Sequence, residues 1–170
     1  MELTLRRLSA DARADFMALM QRGSEESAAC LCTAYHGAAP EDAPACRNAL
    51  MQGQPDGYLL YRDGAAAAWC QCGPWDSFKV FSQRKRPGSW VITCMVVAPH
   101  ARGQGLVHAM LAKVFDDLKA RGIKHVLACA HRLGPAYSSP LAELPEAACI
   151  KAGMTIERDD AECPRYEIKL

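Results

Sequence analysis

The turn formed by Arg102, Gly103, Gln104 and Gly105 carries the residue types that bind a phosphate group. Glycine has no Cβ, so backbone N–H groups beside it can approach a ligand closely. A helix-type pattern begins at about Gly105, and the first amides of a helix have no intrahelical partner and favour an anion. Arg102 adds a full positive charge. The sequence therefore predicts an anion site at this turn.

Hydrophobic patterning predicts the two elements that position the turn. Residues 90–97 are almost all apolar and many are β-branched, which is typical of a central strand buried on both faces. After the turn, Gly122 is well placed to end a helix. Apolar residues recur at helical spacing along one face of that helix, at Leu106, Val107, Met110, Leu111, Val114, Phe115 and Leu118.

Two other phosphate-binding motifs do not fit the spacing. A dinucleotide-binding fold needs a third glycine where this chain has His108, and it needs alternating strands and helices downstream. A P-loop needs a Gly-Lys-Ser/Thr ending, which this turn lacks. A strand-to-helix turn that binds nothing is the remaining alternative.

The order of apolar strand, Arg-Gly-x-Gly turn and amphipathic helix resembles the coenzyme A motif of the GNAT acetyltransferase superfamily, whose pattern is Gln/Arg-x-x-Gly-x-Gly/Ala. Val107 stands where that pattern has Gly or Ala. The resemblance implies that acetyl-CoA is the cosubstrate and that its pantetheine arm pairs with the central strand like an added strand. The implied coenzyme A residues are Met95, Val96, Val97, Arg102, Gly103, Gln104, Gly105, Leu106 and Val107.

The resemblance extends over nearly the whole chain. Uncharacterised bacterial members also share a hairpin strand that ends near Gly73 and Pro74 and a strand with Thr93 and Cys94 that leads into the coenzyme A motif. Strands are predicted at residues 3–8, 58–62, 65–73, 126–130, 154–157 and 166–170. Three further helices are predicted: one that ends near Met20, one at about residues 44–52 and one at about residues 145–151. This is the element order of the GNAT fold. It implies one α/β (α+β) domain over residues 1–170, with a mixed, mostly antiparallel sheet of six to seven strands, splayed central strands and about four flanking helices.

Composition narrows the class of protein. The 170 residues carry 20 basic and 19 acidic side chains, a formal net charge of +1, so no bulk field favours nucleic acid or an anionic membrane. The chain begins without a leader-type segment, and its longest apolar run, residues 65–70, is too short to span a bilayer. Nine cysteines, an odd number, are expected to be reduced, which fits a cytoplasmic location.

A metal site is not expected. Cys30, Cys32, His36 and Cys46 could be assembled into a zinc site, but Cys-x-Cys lacks the usual two-residue spacing. This segment, with Tyr35 and His36, falls where GNAT proteins form the acceptor pocket, and we assign Asp76 to that pocket as well. A homodimer is compatible with the resemblance.

The resemblance implies direct attack of an amine on the acetyl-CoA thioester in a ternary complex. Many family members use a carboxylate on the central strand as the base, but residues 91–97 contain none. His100, His131, Asp76 and His36 are candidates, and histidine has a suitable ordinary pKa of about 6.5.

The acid that protonates the departing thiolate is also atypical. The family has a Tyr-x-x-x-Gly-Phe pattern at its last helix. In this chain Cys149 stands at the tyrosine position, and Gly153 and Met154 stand at the Gly-Phe positions. Proton donation by the Cys149 thiol is one hypothesis. Tyr137, a serine at 138 or 139, or water is the other.

Three functions follow from the resemblance. The first is N-acetylation of a primary amine on a small molecule or peptide. The second is a non-catalytic acyl-CoA-binding or sensory module. The third is an acyl-cysteine relay through Cys149 or Cys94. The family does not identify the acceptor.

Overall fold

A computed structural model of the chain describes residues 2–22, 35–37, 42, 45, 57–132 and 144–170. Within these residues, eight strands form one sheet and three α-helices flank it. The strands are β1 (Leu3–Arg7), β2 (Gly57–Arg62), β3 (Ala65–Pro74), β4 (Ser89–Val97), β5 (His125–His131), β6 (Leu144–Pro145), β7 (Thr155–Arg158) and β8 (Arg165–Lys169), and the helices are α1 (Arg13–Arg22), α2 (Leu106–Ala120) and α3 (Glu146–Lys151).

The strand order is β1-β2-β3-β4-β5-β8-β7, with β6 attached to β5. Neighbouring strands are antiparallel except for the pairs β4–β5 and β5–β6. The β4–β5 pair is parallel because the chain crosses over through α2 between these strands. The predicted mixed, mostly antiparallel α/β architecture is confirmed.

The parallel pair β4–β5 is short and then opens. Ser89 pairs with His125 and Ile92 pairs with Ala128, which is the last pairing between the two strands. Beyond that point β5 pairs with the two-residue strand β6, at Ala130. The edge of β4 from residue 93 to 97 therefore has no β5 partner within the described residues. This is the predicted splay of the central strands.

Alternating side chains of β4 contribute to different apolar clusters. Ile92 and Cys94 are buried in the larger cluster, which includes the apolar stripe of α2. Val91 belongs to a smaller cluster with Leu127 and residues outside the sheet, including Phe78. The β3–β4 register shifts between these residues, because Gln71 pairs with Cys94 and Cys72 pairs with Ile92, which leaves Thr93 without a β3 partner.

The 75–88 segment, which links β3 to β4, is fixed to the far edge of the sheet by charge and by aromatic packing. Glu157 on β7 accepts hydrogen bonds from Arg86 and from Nε of Arg165, the latter at 2.6 Å. Both guanidinium groups lie over the Trp75 ring, at 5.0 and 5.1 Å from its centroid. The Trp75 indole N–H donates to the Arg84 carbonyl at 2.6 Å.

Most predicted elements are present with their ends shifted by a few residues. The predicted hairpin is confirmed, and Asp63 and Gly64 adopt the positive φ values, 48° and 84°, that a two-residue turn requires. The strand β6 was not predicted, because two residues carry no periodicity. The helix predicted for residues 44–52 lies almost entirely outside the described residues. None of the described helices is long and apolar enough to cross a membrane.

Candidate functional site

The turn between β4 and α2 has the backbone that its glycines were predicted to provide. Gly103 and Gly105 have φ values of 72° and 75°, in the left-handed region where a Cβ is disfavoured. A Cβ built on either glycine meets nothing within 4 Å. Gly105 caps α2, which begins at Leu106. Both glycines therefore border open space at the start of a helix.

That open space is a pocket of about 350 Å³ at the carboxyl end of β4. The first amides of α2, which have no partner within the helix, lie at its border. Every predicted turn residue except Gln104 lines it. The lining residues are Val97, Ala101, Arg102, Gly103, Gly105, Leu106 and Val107.

Polar side chains hold the turn in shape. Nε of Arg102 donates to the Val97 carbonyl at 3.3 Å, which ties the arginine to the end of β4. The Gln104 side chain donates to the His100 carbonyl at 3.1 Å and accepts from Arg62. Gln104 therefore stabilises the turn through its side chain, which explains why it does not line the pocket.

The open edge of β4 lies next to this pocket. Met95, Val96 and Val97 pair with β3 on one side. On the side facing β5, no strand within the described chain pairs with them. Apart from the Val97 carbonyl, which accepts from Arg102, the backbone groups on that side can pair with an added strand-like ligand. Thr93 lies at the point where β4 and β5 separate.

A buried chain of polar side chains begins at Thr93. Its hydroxyl donates to Oε1 of Gln71 at 2.8 Å, and Nε2 of Gln71 lies 3.2 Å from Nε2 of His36. Thr93 is fully buried and Gln71 is 1% exposed. Sequence reasoning named His36 but missed its two partners. Their only signal is that each is an isolated polar residue within an otherwise apolar strand.

His36 and Tyr35, both assigned to the acceptor pocket, lie against the 75–88 segment. The His36 ring lies 4.9 Å from the Phe78 ring. Burial, and then the Lys79 ammonium, lower the pKa of His36 below its ordinary value. Tyr35 is itself buried and contacts Phe81 at 5.8 Å between ring centroids. The half-buried His36 is thus more accessible than Tyr35.

Asp76 lies away from the glycine turn, and its assignment to the acceptor pocket stays a prediction. Asp76 follows the end of β3, where Pro74 pairs with Trp90 at the start of β4. The span of β4 from Trp90 to Val97 is about 23 Å at ~3.3 Å per residue. The exposed Asp76 carboxylate accepts a hydrogen bond from the Arg86 backbone at 3.2 Å and so stabilises the 75–88 segment.

The proposed acids and bases lie in contrasting environments. Cys149 on α3 is fully buried in the larger apolar cluster. That burial, and then the nearby Glu146 carboxylate, raise the pKa of Cys149 to about 12. His100 is exposed on the turn after β4, and His131 ends β5. Tyr137 lies outside the described residues, as do Ser138 and Ser139.

The cysteines carry no sign of a metal site where they are described. No group of three or more His, Cys, Asp or Glu side chains that could hold a metal ion occurs in the described part of the chain. Cys30, Cys32 and Cys46 lie outside it. Cys94 is buried in the larger cluster, as Cys149 is.

The family of the chain follows from its sequence match. Residues 25–136 match the family model described as acetyltransferase (GNAT) family, which is more than half of the chain. The chain belongs to the GNAT acetyltransferase family. No curated protein matches the sequence.

Solved GNAT structures share the fold at low sequence identity. The PaiA N-acetyltransferase of Thermoplasma acidophilum, in complex with coenzyme A, has a TM-score of 0.63 and 12% identity over 100% of both chains. A GNAT superfamily phosphinothricin acetyltransferase from Sinorhizobium meliloti, in complex with AcCoA, has a TM-score of 0.61 and 15% identity, over 100% of this chain and 89% of its own. The ribosomal-protein-S18-alanine N-acetyltransferase of Escherichia coli has a TM-score of 0.59 and 14% identity, over 99% of this chain and 94% of its own.

Proposed function

We propose that this GNAT protein is an acetyl-CoA-dependent N-acetyltransferase that acts on a primary amine of a small molecule or peptide. The observation that carries the proposal is the pocket beside the glycine turn, which continues into the open edge of β4. An anionic group and an extended arm would each find a matching surface there. Two of the similar structures described above contain coenzyme A or AcCoA.

In this proposal, the first amides of α2 and the Arg102 guanidinium bind the pyrophosphate of the donor. The space that a Cβ on Gly103 or Gly105 would fill is left for that group. The pantetheine arm pairs with the β4 edge from Val97 towards Thr93. The thioester then lies near the point where β4 and β5 separate.

Direct transfer needs few protein groups in this arrangement. The amine attacks the thioester carbonyl carbon, a C–N bond forms, and the C–S bond breaks to release coenzyme A as its thiolate. A backbone N–H of β4 near Met95 can stabilise the negative charge that develops on the carbonyl oxygen. One proton leaves the attacking nitrogen and one is taken up by the thiolate.

A non-catalytic acyl-CoA-binding module is the alternative. Two observations favour it: residues 91–97 of β4 carry no carboxylate, and Cys149 is buried with a raised pKa. The burial of the Cys149 and Cys94 side chains argues against the acyl-cysteine relay, because the nucleophilic sulfur must reach the thioester.

Calorimetry with acetyl-CoA and thiol release across a panel of amines separate these functions. The proposal expects micromolar-range binding and turnover with at least one amine. Binding without turnover on any amine would favour the module, and no binding would refute the proposal. Intact mass after incubation with acetyl-CoA tests the relay, which alone predicts an acetyl adduct on the protein.

A further inference from the structure

The polar chain of Thr93, Gln71 and His36 crosses an apolar face of the sheet, and burial makes its hydrogen bonding informative. A buried polar group without a partner costs about 1–3 kcal/mol, so each group in such a chain is expected to be satisfied. Thr93 and Gln71 are almost completely buried. Both ends of the Gln71 amide therefore need a partner, and Thr93 and His36 supply them.

The orientation of the Gln71 amide places its NH₂ group against His36. The Thr93 hydroxyl donates to Oε1 of Gln71, which leaves the NH₂ group of the amide facing His36 at 3.2 Å. With the amide in this orientation, Nε2 of His36 accepts and carries no proton, since an amide nitrogen can only donate. A neutral imidazole has one N–H, and in His36 it is therefore on Nδ1.

The surroundings favour the neutral ring. Burial lowers the pKa of His36, and the positive charge of Lys79 lowers it further. Among the described neighbours, Gln71 and Phe78 contact the ring without contributing a negative charge. A protonated ring would also place an N–H against the Gln71 amide. His36 in this arrangement is a donor, and it is poorly suited to take up a proton.

The location of the chain relates it to the acceptor. Thr93 is the first residue of β4 beyond the last pairing with β5, where the thioester lies in the proposed function. We propose that Gln71 and Thr93 are positioning residues that hold His36 as a neutral hydrogen-bond donor, through Nδ1–H, for the acceptor substrate. This inference rests on the proposed acetyl transfer.

Two consequences follow for the substrate. A neutral N–H donor selects an amine that carries a carboxylate or carbonyl oxygen near its amino group, as amino acids and peptides do. His36 does not serve as the base in this arrangement, so the amine proton leaves through another group, such as His100, His131, Asp76 or water. His36 is thus a specificity-determining residue.

NMR of the full chain labelled with ¹⁵N-histidine tests the tautomer without cofactor or amine. The His36→Ala spectrum assigns the His36 signals. The expected result is the Nδ1–H tautomer, with titration below the ordinary value of 6.5. An Nε2–H tautomer, or titration at or above that value, would overturn the inference.

Variants of the two partners test their positioning role. Thr93→Val keeps the shape of the side chain but removes the donor, and the Nε2–H form should then become populated, whereas Thr93→Ser should keep the parent tautomer. Gln71→Glu replaces the amide with an acceptor, so it should switch His36 to Nε2–H and raise its pKa. Unchanged tautomers in Thr93→Val and Gln71→Glu would contradict the role of these residues.

Activity on an amine that the parent acetylates provides the second readout. Asn carries an N–H close to the position of Nδ1, so His36→Asn should keep kcat/KM within about threefold, while His36→Ala should lose about tenfold or more. Equal losses in both variants, together with loss of the acidic limb of the pH–rate profile, would instead identify a base. The NMR result stands even if acetyl transfer is absent, so the two proposals can fail separately.

Discussion

Replacing Gly105 with alanine should damage acetyl-CoA binding far more than it damages the fold. Gly105 has φ of 75° at the start of α2, and Gly122 has φ of 79° just after the end of the same helix. A Cβ on either residue meets nothing within 4 Å. Gly122→Ala is therefore a matched control with the same backbone strain at the opposite end of α2.

The magnitudes come from strain and from lost hydrogen bonding. A left-handed alanine costs about 1–2 kcal/mol, which lowers Tm by about 2–8 °C for a domain of this size in both variants. Only at Gly105 does the new methyl group occupy the space proposed for the pyrophosphate. Losing one charge-assisted hydrogen bond there costs about 1.5–3 kcal/mol, or roughly 10- to 150-fold in Kd.

Scanning calorimetry measures Tm and titration calorimetry measures the Kd for acetyl-CoA in the parent and both variants. We expect similar losses of Tm, with Kd raised only in Gly105→Ala and within about twofold of the parent in Gly122→Ala. If Gly105→Ala binds as tightly as Gly122→Ala, the donor does not lie against this turn.

Three further predictions concern other parts of the site and its support. Glu157→Gln leaves Arg86 and Arg165, whose side chains are 13% and 11% exposed, without their counter-charge. Urea unfolding should therefore show that the free energy of unfolding falls by about 3 kcal/mol. The control Arg158→Gln, at an exposed ion pair, should lose less than ~1 kcal/mol. Burial alone would raise the pKa of Glu157, but hydrogen bonds from Arg165 and Arg86 hold it below the ordinary value of 4.5. The stability that Glu157 contributes is therefore present above pH 4.5 and should disappear at lower pH as Glu157 becomes protonated. A difference in free energy of unfolding between the parent and Glu157→Gln that stays constant down to acid pH would contradict this. Cys149→Ala should keep the rate of thiol release within about twofold, and a loss of tenfold or more in a folded variant would return Cys149 to the acid role.

The strand, turn and helix of the proposed donor site could be predicted from the sequence because local chemistry determines them. An apolar run, two glycines and a helical repeat are contiguous in the chain, and they predict a strand, a left-handed turn and a helix without knowledge of distant contacts. The open edge of β4 followed only from the family resemblance. It depends on where β5 stops pairing, and nothing within β4 itself encodes that point.

The proposed acceptor half was harder to predict because it joins residues that are far apart in sequence. Thr93, Gln71 and His36 meet only once β3 and β4 are paired and residues 35–37 lie against them. Antiparallel pairing also places the end of β3 beside the start of β4, so Asp76, which follows β3, lies far from the glycine turn. Its assignment to the acceptor pocket stays a prediction.

The strand β4 divides the proposed site into a part that tolerates substitution and a part that does not. Its edge would serve the donor through backbone groups, which are the same for every residue except proline. Its side chain at Thr93 would serve the acceptor through Gln71 and His36. Substitutions at these three positions could therefore diversify acceptor choice among descendants of this chain while the affinity for acetyl-CoA is inherited unchanged.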